Sequence, residues 1–297
     1  MFLHKIICML GIEIVFVSSA YLLIALSFSI LYYSTKFFHL AHAAVIAGGA
    51  YFAYLFAVQL GLPLTLAIVL AICGASAIGV LCELLGYRYL RRRNAMPLQY
   101  LIASIGLYVV LQNVISIVWG DDVKTLYHGE ITVGHEFMGA YITTIQIVTI
   151  LVSLVLFGGT IAFMKYTTIG RKINAVSANA ELASIHGINS NKVILTCFAI
   201  GSALGAVAGI LSAMDTNMTP TFGFNLLLYG VVAMIIGGVG SYRGLIAGAL
   251  LVATAQHLAA YYIDTKWMDA VAYIILILFL LWKPLGFSGQ RLKKVEL

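Results

Sequence analysis

Nine apolar runs, at about 11–33, 37–60, 63–87, 97–119, 141–164, 193–213, 223–240, 243–263 and 268–282, take up most of this 297-residue chain. Each is near the roughly 20 residues that a helix needs to cross a bilayer. Segments this apolar have two stable forms in lipid, helices or a closed barrel, because every backbone polar group must be paired internally. A barrel is written as roughly 10-residue stretches of alternating polarity, whereas these runs are continuous. The expected fold class is all-α, a polytopic membrane helix bundle of eight or nine transmembrane helices. With 62% hydrophobic and 9% charged residues, no separate extramembrane catalytic module fits, and residues 1–297 read as one transmembrane domain. The first run exceeds the roughly 7–15 residues of a signal-peptide core and is expected to remain as a helix.

The few charges sit between the runs. Arg88, Arg91, Arg92 and Arg93 form one basic cluster, Lys165, Arg171, Lys172 and Lys192 a second, and Lys283, Arg291, Lys293 and Lys294 a third. Such clusters mark cytoplasmic ends. The intervening acidic groups, Asp121, Asp122, Glu130 and Glu136, then Asp264 and Asp269, are read as external. Counting crossings places the C-terminus in the cytoplasm. The N-terminal side depends on whether run 37–60 crosses or re-enters, and Lys5 favours the second weakly. A net charge of +6 distributed in this way sets orientation, not nucleic-acid binding.

Several chemistries are missing. Cys8, Cys73, Cys82 and Cys197 lie in apolar segments without paired short spacing, so neither a disulfide framework nor a metal site is expected. No GxxxxGK[ST] stretch is present to cradle a nucleoside triphosphate. Glu83 and, less deeply, Glu13 are the acidic groups inside apolar runs. Glu83 stands close enough to the basic cluster to reach the interface or pair with Arg88. Because intramembrane charges mark ion and proton pathways, their scarcity weighs against a proton- or sodium-coupled carrier. No nucleophile and base stand at a spacing that suggests an intramembrane enzyme.

Two histidines, His39 and His42, are three residues apart on one expected helix face. They either line a path or sit hydrogen-bonded to backbone at the start of their segment. Glycine is placed in patterns. Gly201, Gly205 and Gly209 recur every four residues, as do Gly244 and Gly248, which suits close helix packing. Two apolar segments are interrupted, one around Gly48 and Gly49 and one around Gly237, Gly238 and Gly240. They lie in opposite halves and, by the crossing count, run in opposite directions, as a possible inverted repeat would arrange them. In transporters such segments border the substrate path. Ser104, Gln112, Asn113 and Asn225 are further polar residues in or near runs; they either line the same path or act as interhelical glue.

The loop 165–192, KYTTIGRKINAVSANAELASIHGINSNK, is too polar to span and too regular for a linker. Its second part is expected to form a short helix with Asn179 as N-cap, Glu181 in the first turn, His186 in the last and Gly187 as the left-handed stop. Ile173, Val176, Leu182 and Ile185 give it apolar points, suited either to a groove in another protein or to the membrane surface.

The run GRKINAVSANAELASIHGIN, followed by an apolar helix containing ALGAVAGIL, resembles the cytoplasmic coupling loop of branched-chain amino acid ABC importer permeases of the H type. FFHLAHAAVIAGGAY and IIGGVGSYRGLIAGALLV are similar to two further family segments, as is PLQYLIASIGLYVVLQNVISIVWG. Ala43, where the family usually has glycine, and Arg243 in the second segment depart from the pattern. The resemblance implies a permease subunit paired with a second, related permease. Two ATPase subunits would carry ATP and magnesium, this chain holding no cofactor, and an external binding protein would deliver the substrate. By position, Gly170, Arg171, Asn179, Glu181, Ala183 and Gly187 become the residues coupling this chain to the ATPase, and the bacterial inner membrane becomes the expected location. Branched-chain or other small amino acids are the implied cargo. The alternatives are a permease for urea or short amides and an autonomous secondary carrier or channel.

Overall fold

The computed structural model describes residues 2–126, 134–137, 140–283 and 286–287. Glu130, Arg291, Lys293 and Lys294 lie outside them. In chain order the helices are α1 (Phe2–Thr35), α2 (His42–Tyr54), α3 (Leu64–Leu81), α4 (Arg88–Arg92), α5 (Pro97–Trp119), α6 (Thr144–Tyr166), α7 (Thr168–Ala178), α8 (Ala180–Ile185), α9 (Ser190–Asp215), α10 (Phe222–Gly237), α11 (Tyr242–Tyr262) and α12 (Met268–Trp282). Between α5 and α6 a small antiparallel hairpin pairs β1 (His135–Phe137) with β2 (Ala140–Ile142). Among the described residues, eight helices are long and apolar enough to cross a membrane, and α10 is a shorter apolar helix. The protein is thus a multi-pass helical membrane protein, and α10 is what separates a count of eight from nine.

Helix ends follow the sequence. Pro97 opens α5, where its missing N–H costs nothing, and the Gln99 side chain accepts the Met96 amide at 2.7 Å. Ser241 caps α11 by accepting the Gly244 amide. Gly238 and Gly240 stop α10 with φ of 93° and 82°, conformations that favour glycine. The matching interruption expected at Gly48 and Gly49 is absent. α2 runs unbroken through both, and the distortion comes later, as a π turn over Leu55–Gln59.

The chain forms two compact units. The larger comprises residues 26–128 and 158–227. Its centre is α2, buried on nearly all sides and packed with α3 and α9. Small residues permit this. Ala67, Ala71, Ala75 and Gly79 form the buried stripe of α3, and a Cβ on Gly49 would come within 2.7 Å of Ala206 on α9. The expected packing face of α9 is present: Gly201 meets Leu31, Gly205 meets His42 and Gly209 meets Ile46. In the membrane such backbone approach replaces the hydrophobic driving force that water would supply.

The smaller unit comprises residues 1–25, 129–157 and 228–297. Here Gly248 fits against Ala233, and Gly237 against Gly244, which joins α11 to α10. The Phe287 amide donates to the Ile236 carbonyl at 2.9 Å.

Candidate functional site

The polar loop forms two short helices joined at one residue. Thr167 caps α7, accepting the Gly170 amide at 2.9 Å. Asn179 is both the C-cap of α7 and the N-cap of α8, extended at φ −160° and ψ 108°, with its Oδ1 accepting the Leu182 amide at 2.9 Å. Glu181 occupies the first turn of α8. At the far end Gly187 takes φ 79°. Its amide reaches the Ser184 carbonyl at 3.0 Å and the Ile188 amide reaches Ala183 at 3.0 Å, a Schellman closure. The expected cap, first turn and stop therefore stand where the sequence puts them.

The four apolar points divide. Ile173 and Val176 are buried in this chain, while Leu182 and Ile185 are 54% and 75% exposed. The cause is Gly170, whose position against Met164, 2.6 Å from a virtual Cβ to its Cα, lays α7 on the end of α6 and turns Ile173 and Val176 inward. Ala183 is buried beneath α8. Arg171, Lys172 and Glu181 are exposed, so the outer face of the pair presents two apolar side chains among charges of both signs.

Lys36 ties this loop to the turn between α1 and α2. It adopts φ 60° and its ammonium donates to Ser177 Oγ at 3.1 Å while lying 4.7 Å from the Tyr33 ring centre. Burial lowers the Lys36 pKa from its ordinary value.

Three residues further on a buried polar cluster begins. His39 and His42 do not share a helix face, since His39 precedes α2 and His42 is its first residue. Both are fully buried, and neither is held by backbone. His39 Nδ1 is 2.8 Å from the Tyr87 hydroxyl, and His42 Nε2 is 3.1 Å from Ser27 Oγ. Ser104 accepts the Ala41 amide at 3.0 Å and stands near Tyr87. Phe37 and Phe198 pack around His39 and Tyr87. Burial, with His42 beside it, holds the His39 pKa well below its ordinary value.

Of the other path candidates, Gly48 and Gly49 are buried inside the α2 packing. Gln112 donates to Ser116 at 3.1 Å, and Asn113 donates to the Val109 carbonyl at 2.7 Å while its side chain is exposed. Asn225 is exposed on α10. Gly237, Gly238 and Gly240 belong to the smaller unit. Sequence reasoning missed Tyr87 and Ser27, for which periodicity carries no signal. Glu83, buried in a π turn over Cys82–Tyr87, pairs with Arg91 and not with Arg88.

Residues 11–280 match the family described as branched-chain amino acid transport system / permease component. The high-affinity branched-chain amino acid transport system permease protein LivH of Escherichia coli K12 is 34% identical over 285 residues, 92% of each chain. BraD of Pseudomonas aeruginosa, a protein of the same description, is 32% identical over 288 residues, 92% of this chain and 93% of its own. Among solved structures, PsaBC from Streptococcus pneumoniae in complex with Fab aligns over 90% of both chains with TM-score 0.49 and 12% identity.

Proposed function

The chain belongs to the family of branched-chain amino acid transport system permease components, and from that membership we propose that it is the H-type permease subunit of an ABC importer. It forms a translocation path for branched-chain or other small amino acids together with a second, related permease chain. Two ATPase subunits dock from the cytoplasm on the cytoplasmic loops of the two permease chains, which in this chain means the α7–α8 pair, and an external binding protein delivers the substrate. The assembly sits in a bacterial inner membrane with the C-terminus of this chain cytoplasmic.

The observation that carries this reading is the α7–α8 pair. A capped, Schellman-closed helix with Leu182 and Ile185 exposed is a rigid surface element that buries little within its own chain. Its mixed charges suit a protein groove better than an anionic lipid surface, which favours a strongly basic face. Gly170 and Ala183 set the pair against the membrane part, Asn179 and Gly187 fix its ends, and Arg171 and Glu181 offer polar contacts. The missing phosphate loop and the scarcity of intramembrane charge agree with energy supplied by partner subunits.

The His39–Tyr87–Ser104 cluster and the α5 residues Gln112 and Asn113 are the path residues we favour in the larger unit, and Gly237, Gly238 and Gly240 in the smaller. Co-expression of the chain with the neighbouring ATPase, permease and binding-protein genes, followed by reconstitution, tests the proposal. ATP-dependent uptake of leucine, isoleucine or valine that requires the binding protein is the expected result. Uptake confined to urea or short amides would move the substrate class, and robust nucleotide-independent uptake by the chain alone would overturn the importer reading.

A further inference from the structure

In the smaller unit four helices bring one carboxylate and three tyrosine rings together. The Tyr21 hydroxyl, on α1, donates to Gln256 Oε1, on α11, at 2.7 Å. The Tyr229 hydroxyl, on α10, donates to Asp269 Oδ1, on α12. The rings of Tyr21 and Tyr229 are 5.2 Å apart at 38°. Tyr273 is one turn beyond Asp269 on the same face of α12 and close enough to interact with its charge. Gly230 makes the gathering possible, because any Cβ there would collide with Ile24 and push α10 off α1. Tyr21 and Gln256 are buried, whereas Asp269 is exposed.

The helix dipole accounts for tolerance of a carboxylate in the first turn of α12. It does not account for the rings gathered around it, nor for a buried carboxamide beside them. Tyr229 occupies one carboxylate oxygen and leaves the second. A carboxylate with tyrosine rings beside it is the chemistry that recognises an organic ammonium, through its charge and, where a ring face is reached, through the ring quadrupole. Gln256 uses its carbonyl on Tyr21, and the same carboxamide carries N–H donors, which suit a carboxylate. The two together match a zwitterion.

We propose that Asp269, Tyr229, Tyr273, Tyr21 and Gln256 form a binding site for the primary ammonium group of the transported amino acid, with Gln256 facing its carboxylate. The proposal deepens the amino-acid importer reading and rests on it. Asp269 falls on the external side by the charge pattern, so the site would receive substrate before it enters the path.

Thiol labelling of the whole assembly in proteoliposomes tests the site without relying on transport. In a background with Cys8, Cys73, Cys82 and Cys197 replaced by alanine, Tyr273→Cys is exposed to an ethylammonium and to an ethylsulfonate methanethiosulfonate. The rates are normalised to those of a free thiol in solution. The cationic reagent should be favoured by about ten-fold, and Asp269→Asn should abolish the preference. Equal rates, a preference that survives Asp269→Asn, or no labelling by either reagent would each overturn the proposal. Uptake supplies the second arm: Asp269→Asn should raise the KM for leucine by about ten-fold with little change in kcat, and Asp269→Glu should recover most of it. An unchanged KM overturns the site. A wild-type assembly that carries no amino acid, yet keeps the charge-selective labelling, would sink the importer reading and leave the ammonium site standing.

Discussion

Single residues decide how closely the helices approach, and neighbouring glycines differ in what they permit. A Cβ on Gly48 meets Ile78 at an ordinary 3.5 Å, so Gly48→Ala should be neutral or stabilising by up to about 1 kcal/mol through helix propensity. Gly209 faces the Ile46 carbonyl with no room for a side chain, and Gly209→Ala should cost about 1–3 kcal/mol by overpacking. Thermal unfolding of the two variants in detergent separates them. Tyr87→Phe leaves His39 Nδ1 without its partner in a buried setting, a loss of about 1–3 kcal/mol that the same assay reads. The periodicity of the sequence located these glycine faces on α9 and α11, since spacing by four is a local property. It said nothing of Tyr87, because a tyrosine beside an arginine cluster looks identical whether it turns inward or to the interface. The placement of His39 before α2 was equally hidden: the helix starts late, after a turn in which Lys36 takes a positive φ.

Elements were legible where side chains signal their own ends. Asn179, Glu181 and Gly187 fall where capping chemistry puts them, and α8 follows, whereas α7, capped by Thr167, was not read as a helix of its own. Which apolar points face outward was not legible, since that depends on Gly170 fitting against Met164, a contact between separate elements. Asn179→Ala should weaken the start of α8 by about 0.5–2 kcal/mol, visible as faster amide exchange at Leu182 with the rest of the chain unchanged. Gly187→Trp is sterically open but strains a left-handed position. It should abolish transport and ATPase association while membrane insertion persists, and wild-type uptake would refute the coupling role. α2 teaches the opposite lesson, for paired glycines in an apolar segment read as a break and proved to be a contact surface.

For the whole molecule, hydrophobic bulk dictated the class and the charges dictated expected sidedness. The count of crossings hung on α10, whose 16 residues end at glycines that a hydropathy run passes over. The division into two units was not readable, because three of its four boundaries fall inside α1, α6 and α10. Sidedness is testable on intact cells: a membrane-impermeant amine reagent should modify Lys266, exposed before α12, and spare Lys172 and Lys192, which are exposed on the α7–α9 side. Labelling of the latter pair from outside would invert the orientation proposed here.

Asn179 ends one helix and begins the next, and is the one residue between them. A joint of one residue has little slack to absorb a displacement, so a push on α8 must rotate its single pair of dihedral angles or be passed on to α7. Six residues at about 1.5 Å each give α8 an arm of about 9 Å, and the joint turns it into a crank. Lengthening that joint by one glycine would convert the crank into a loose tether, and under the proposed ATPase-docking role it should leave docking intact while its mechanical output is lost.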